Sequence, residues 1–96
     1  MVSLLGISVN GIYPLSVTPR KRIAAQHKLA ELLKQHRLLA GLRQVDVAVR
    51  LQQPQSYVSK YESGERGLGL SEIQAICAAL GVPLVKVVKQ FEENER

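Results

Sequence analysis

Apolar residues recur every three or four positions through most of the chain beyond residue 22, the period of helices buried on one face. Leu29, Leu32, Leu33 and Ala40 predict a long first helix from near Arg22 to Ala40, stopped by Gly41. Val47, Ala48 and Leu51 predict a second, short helix from about Gln44 to Leu51. After Gln52-Gln53-Pro54 a third runs from about Pro54 to Ser63, with Val58 and Tyr61 facing a core and Gly64 as a left-handed cap. Ile73, Ile76, Cys77 and Leu80 share one face of a fourth helix, Leu70 to Leu80, which Gly81 ends. Pro83 opens a fifth, whose stripe of Leu84, Val87, Val88 and Phe91 is widened by Val85. The predicted class is therefore all-α with five helices.

The first 22 residues follow a different pattern. Leu5 to Val9 and Ile12 to Val17 are β-leaning and flank Asn10-Gly11, a hairpin signal because both residues tolerate positive φ. An isolated hairpin is marginal in water, so a plain arm is the competing reading. Thr18 is placed to cap the first helix with Pro19 at its first position. Arg20-Lys21-Arg22 supplies three consecutive cations, suited either to phosphate contacts or simply to solvation. The expected organisation is an arm or hairpin over 1–22, a helical domain over 23–92 and a frayed end over 93–96.

Charge and composition narrow the partners. The 96 residues carry a formal net charge of +5, which favours nucleic acid, an acidic protein surface or an anionic membrane. One cysteine excludes an internal disulfide and any cysteine-based metal cluster, and it suits a reducing cytoplasm. No run of 18 apolar residues exists to span a membrane, and the N-terminal apolar residues lack the charged lead-in of a secretory signal. His27 and His36 have no companion at metal-ligand spacing, so no metal or cofactor is expected. Cys77 reads as a small core residue.

The third helix carries the chemistry. Opposite Val58 and Tyr61 it presents Gln55, Ser56, Ser59 and Lys60: amides, hydroxyls and an ammonium. Such a face can donate to and accept from base edges, with a cation for guanine or phosphate. Leu42 to Gly64 resembles the helix-turn-helix of the phage lambda repressor and Cro proteins, the XRE family. The resemblance rests on Gly41-Leu42, Gln44, Val47-Ala48, Leu51, the run Gln55 to Lys60, and Glu62 to Arg66, with Ala79-Leu80-Gly81-Val82 matching a later signature. It extends over roughly 29–92 and implies a five-helix lambda-repressor-like DNA-binding domain.

The resemblance also implies roles. Gln55, Ser56 and Lys60 become base readers. Arg43, Gln44, Tyr57, Ser59 and Arg66 become backbone contacts. Arg37 becomes the ion-pair partner of Glu62, tying the first helix to the third. Two residues depart from the family pattern. Arg43 stands where Ser or Thr usually caps the second helix, and Gln52 stands where glycine is common. Gln52 is thus expected to take a left-handed backbone in the turn.

The expected function is a sequence-specific transcriptional regulator, with repressor the leading form, that binds double-stranded DNA in the cytoplasm as a homodimer. The fifth helix is more apolar than a small monomer requires, and family members often pair through this region. The alternative is an antitoxin of the same fold that binds DNA and also covers a toxin protein. No nucleophile paired with a base, carboxylate pair or metal spacing supports an enzyme.

Overall fold

The computed structural model describes residues 19–93, and the hairpin-or-arm question, the cap at Thr18 and the last three residues lie outside them. Five helices follow in order: α1 (Pro19–Leu39), α2 (Gln44–Leu51), α3 (Gln55–Glu62), α4 (Leu70–Leu80) and α5 (Leu84–Glu93). The predicted α2 and α4 bounds hold. α1 begins at Pro19, ahead of the predicted start near Arg22 and with Pro19 in its expected first position, because Pro19 fixes a helical φ and its missing N–H costs nothing in a first turn. Pro54 sits just ahead of α3 with an extended ψ of 155° rather than inside it.

One core joins all five helices. Leu33 of α1, Val47 of α2, Val58 and Tyr61 of α3, Ile76 and Cys77 of α4, and Val87 of α5 are essentially inaccessible to solvent. α1 runs behind the others and packs on α3, α4 and α5, while α2 lies across α3 and α4. Cys77 is buried, which pushes its thiol up and leaves it a filler of space. The Tyr61 ring meets Tyr57 edge-on, with centroids 5.6 Å apart. The Tyr61 hydroxyl is buried without a hydrogen-bond partner among the described residues. No single helix among those residues is long and apolar enough to cross a membrane.

The helices stop by one repeated device. After α1 the N–H of Gly41 bonds Leu38 O and that of Leu42 bonds Arg37 O. The same crossed pair closes α2 at Gln52 and Gln53, α3 at Gly64 and Glu65, and α4 at Gly81 and Val82. Each first residue is left-handed, as this motif demands. At Gly64 (φ 82°) a side chain is excluded twice over, since a Cβ would also run into the His27 imidazole of α1. Gln26 anchors the same loop by donating to Gly64 O at 2.7 Å. α1 therefore fixes the segment leaving α3.

Gln52 is the exception. It holds φ 55° with a Cβ in place, as its departure from glycine leads one to expect. An L-residue in this region costs about 1–2 kcal/mol. Substitution Gln52→Gly is expected to raise stability by about 1 kcal/mol, which corresponds to a melting point higher by about 4–8 °C. A thermal melt followed by circular dichroism checks this, and an unchanged or lower melting point would contradict it.

Candidate nucleic-acid interface

α3 is short, and its two faces are sharply divided. Successive residues step about 100° around a helix. Gln55, Ser59, Ser56 and Lys60 thus form one continuous ridge, and all four are exposed. Val58 and Tyr61 lie opposite and are buried. Glu62 borders the ridge on the Gln55 side, and Tyr57 borders it on the Lys60 side.

The Gln55 border is built around an ion pair. Arg37 Nε donates to Glu62 Oε2 at 2.7 Å and Nη2 donates to Glu62 Oε1 at 3.0 Å. The remaining arm of the guanidinium, Nη1, donates to Leu42 O at 2.8 Å in the α1–α2 turn. Both side chains are withdrawn from water, 9% and 3% exposed. Their hydrogen bond raises Arg37 above its already high pKa, against the opposing effect of burial. Gln44, at the start of α2, donates to Glu62 Oε1 at 3.0 Å. Its own carbonyl oxygen faces the Gln55 amide at 3.4 Å, a long contact. Arg37, Glu62, Gln44 and Gln55 thus form a chain from the core to the ridge. Gln44, expected on the DNA backbone, is half-buried and engaged in this chain.

The opposite border is wetter. Tyr57 is half-buried and its hydroxyl donates to Glu72 Oε2 of α4 at 3.0 Å. Arg66, in the loop after α3, donates to the same oxygen at 2.8 Å. Its guanidinium also lies over the Tyr57 ring, 4.9 Å from the centroid. The other Glu72 oxygen accepts the Gly69 N–H at 2.9 Å, which covers a free donor at the α4 N-terminus. Both expected backbone contacts on this side, Tyr57 and Arg66, are therefore engaged by one carboxylate. Glu72 was not anticipated, because nothing local to it in the sequence indicates that α4 lies beside the end of α3.

Arg43, also expected on the backbone, is paired as well. Asp46 accepts the Arg43 N–H at 2.8 Å and its guanidinium at 2.9 Å. The carboxylate thereby makes the half of a capping box in which the third helical residue covers the N–H ahead of α2. His36 and Gln90 meet at 2.7 Å, joining α1 to α5 well away from the ridge. Among the described residues no group of side chains is arranged to hold a metal ion.

Two measurements follow from these contacts. Arg37→Ala would leave Glu62 buried and unpaired, so stability should fall by about 3–5 kcal/mol. A denaturant titration matching the unaltered protein would contradict the bracing role. Acid should act through the exposed carboxyls. The Gly69 N–H, then Arg66 and Tyr57, pull Glu72 down to about 2. The Arg43 side chain and then its N–H pull Asp46 down to about 2. Both carboxyls are held below their unfolded values near 4, so their stabilisation is complete above pH ~5 and is lost as pH falls towards 2. Asp46→Asn with Glu72→Gln should flatten the acid limb of stability measured between pH 5 and 2, and an unchanged limb would count against these contacts.

Similarity to known proteins agrees with this geometry. Residues 28–88 match the helix-turn-helix domain family. An XRE-family-like protein from Pseudomonas syringae pv. tomato superposes with a TM-score of 0.72 at 33% identity, covering 78% of this chain and 92% of its own. The restriction-modification controller protein C.Esp1396I, solved as a tetramer on its natural 35 base-pair operator, gives a TM-score of 0.67 at 25% identity, covering 72% of this chain and 91% of its own. HigA3 of Mycobacterium tuberculosis, named as an antitoxin, is 44% identical over 69 residues, which is 71% of this chain. The chain spans 60% of the length of that relative. On its matched residues, its five-helix fold and its polar α3 ridge, the chain belongs to the XRE family of helix-turn-helix DNA-binding regulators.

Proposed function

We propose that this protein is a sequence-specific transcriptional regulator, acting in the cytoplasm as a repressor by occupying a DNA site. The observation that carries the reading is the α3 ridge: four exposed polar residues on one face, backed by buried Val58 and Tyr61 and braced by the buried Arg37–Glu62 pair. Gln55 suits the two hydrogen-bonding groups of an adenine edge, and Lys60 suits guanine O6 and N7, with Ser56 between them. Ser59 and the cationic side chains around the ridge meet phosphate, releasing counterions and supplying affinity without sequence preference.

A homodimer completes the mechanism. Val85 and Val88 of α5 are exposed, as is Leu70 of α4. Beside them an apolar groove of about 240 Å³ is lined by Leu29, Ile73, Leu84 and Phe91. Pairing two copies over this face would bury that surface and set two ridges about one helical turn of DNA apart. The operator-bound tetramer of the controller protein supports an assembly of this kind.

The resemblance to HigA3 favours a second reading, an antitoxin that binds DNA and also covers a toxin protein. A small open reading frame directly beside the gene, whose product co-purifies with this chain, would support it.

Selection from a random duplex pool tests the main reading. An enriched near-palindrome with half-sites about 10 base pairs apart, or a multiple of that, is expected. Gln55→Ala with Lys60→Ala should flatten the preference, because each good base contact contributes roughly 1–3 kcal/mol of discrimination, while the fold is retained. Unchanged discrimination between selected and scrambled duplex would refute these roles. Absence of any salt-sensitive affinity for duplex DNA would refute the function.

A further inference from the structure

Two arginine–glutamate pairs flank the ridge, and they differ in one respect that matters. Arg37–Glu62 is sealed, with side chains 9% and 3% exposed, so neither partner can be handed to DNA. Arg66–Glu72 is open, with side chains 46% and 33% exposed. An exposed pair of this kind contributes only about 0–1 kcal/mol, so a competing anion can displace it. Phosphate is such an anion: it offers a guanidinium the same paired oxygens that a carboxylate offers.

Resting on the reading of α3 as the DNA-binding ridge, we propose that Glu72 competes with the DNA backbone for Arg66 and Tyr57 and so sets how much non-specific affinity this domain carries. Glu72 Oε2 occupies one donor of Arg66 at 2.8 Å and the only donor of Tyr57, its hydroxyl, at 3.0 Å. Tyr57 therefore donates to a phosphate oxygen only after leaving Glu72. Arg66 has further N–H groups, but its charge is already balanced. When phosphate takes Arg66, the Glu72 carboxylate is left near a polyanion with no cation against it, only the Gly69 N–H and the Tyr57 hydroxyl. That repulsion opposes binding at any sequence, whereas base contacts along the ridge are unaffected. Glu72 thus lowers affinity for all DNA by a similar factor and makes occupancy depend more heavily on base contacts. It acts through Arg66 and Tyr57 and is a positioning residue.

Glu72→Gln separates the charge from the shape. The amide keeps its oxygen for the Gly69 N–H and turns its NH2 to the Tyr57 oxygen and Arg66, so it releases both the Arg66 guanidinium and the Tyr57 O–H. Fluorescence anisotropy with scrambled duplex, measured from 50 to 200 mM salt, should show binding about two- to fivefold tighter at low salt. The slope of log affinity against log salt should steepen by up to about 0.9, the value of one further phosphate neutralised. Most of the gain should disappear when Glu72→Gln is combined with Arg66→Ala, the remainder coming from the freed Tyr57 hydroxyl and the lost repulsion. Glu72→Asp, whose shorter carboxylate withdraws from Arg66, should move affinity the same way by less, and it remains informative if the glutamine variant melts early. Weaker or unchanged binding by a folded Glu72→Gln protein would overturn the proposal. So would a gain undiminished by removal of Arg66, since that would be a general charge effect. If the unaltered protein and the variant both fail to bind duplex, the DNA reading itself falls, and this inference with it.

Discussion

The buried pair between Arg37 and Glu62 is the contact on which the rest depends. Arg37 leaves the last turn of α1 and uses three nitrogens, two on Glu62 and one on Leu42 O. Glu62 closes α3 and also receives Gln44 from the start of α2. Three helices, α1, α2 and α3, thereby meet at one carboxylate, and the guanidinium bound to it also ties down the turn after α1. Removing two charges from water is costly, and the pair is sustained because the donors and acceptors meet in good geometry. Its benefit is angular. The apolar core alone would permit α3, only eight residues long, to roll on Val58 and Tyr61. A two-pronged polar contact at its C-terminal end removes that freedom and holds the ridge outward.

Charge around the ridge is arranged in two grades. The sealed pair belongs to the scaffold and is not available to a ligand. The open contacts, Arg43 on Asp46 and Arg66 on Glu72, hold cations in defined places while leaving them reachable by water. Each of these carboxylates also covers a backbone N–H just ahead of a helix, Asp46 for α2 and Glu72 for α4. One side chain therefore serves two purposes, securing a helix start and stationing an arginine. At α2, which lacks a Ser or Thr cap, Asp46 leaves this reciprocal half of the capping box in place.

α5 has a different character. It meets α1 through Val87 in the core, through the His36–Gln90 contact, and through Lys28 placed 4.6 Å from the Phe91 ring centroid. Val85 and Val88 remain outside these contacts. The helix is anchored along one edge and apolar along the next, and this second edge is the face that the proposed homodimer would bury.

The five helices were legible in the residues, because apolar spacing and the glycines at 41, 64 and 81 act locally and leave their mark in the linear order. The outward face of α3 was legible for the same reason, and so was the left-handed backbone at Gln52. The Arg37–Glu62 pair was available only through family likeness, since the two stand 25 positions apart and nothing local relates them. Glu72, Gln26 and the contact of Gln44 with Glu62 were not legible at all. Each depends on how close separate helices come and on which donor reaches an acceptor first, and those distances are fixed only when the core closes. The sequence by itself determined which segments are helical and which face each one buries, and the tertiary structure alone decided which charges are sealed, which are lent to solvent, and which residues share a single carboxylate.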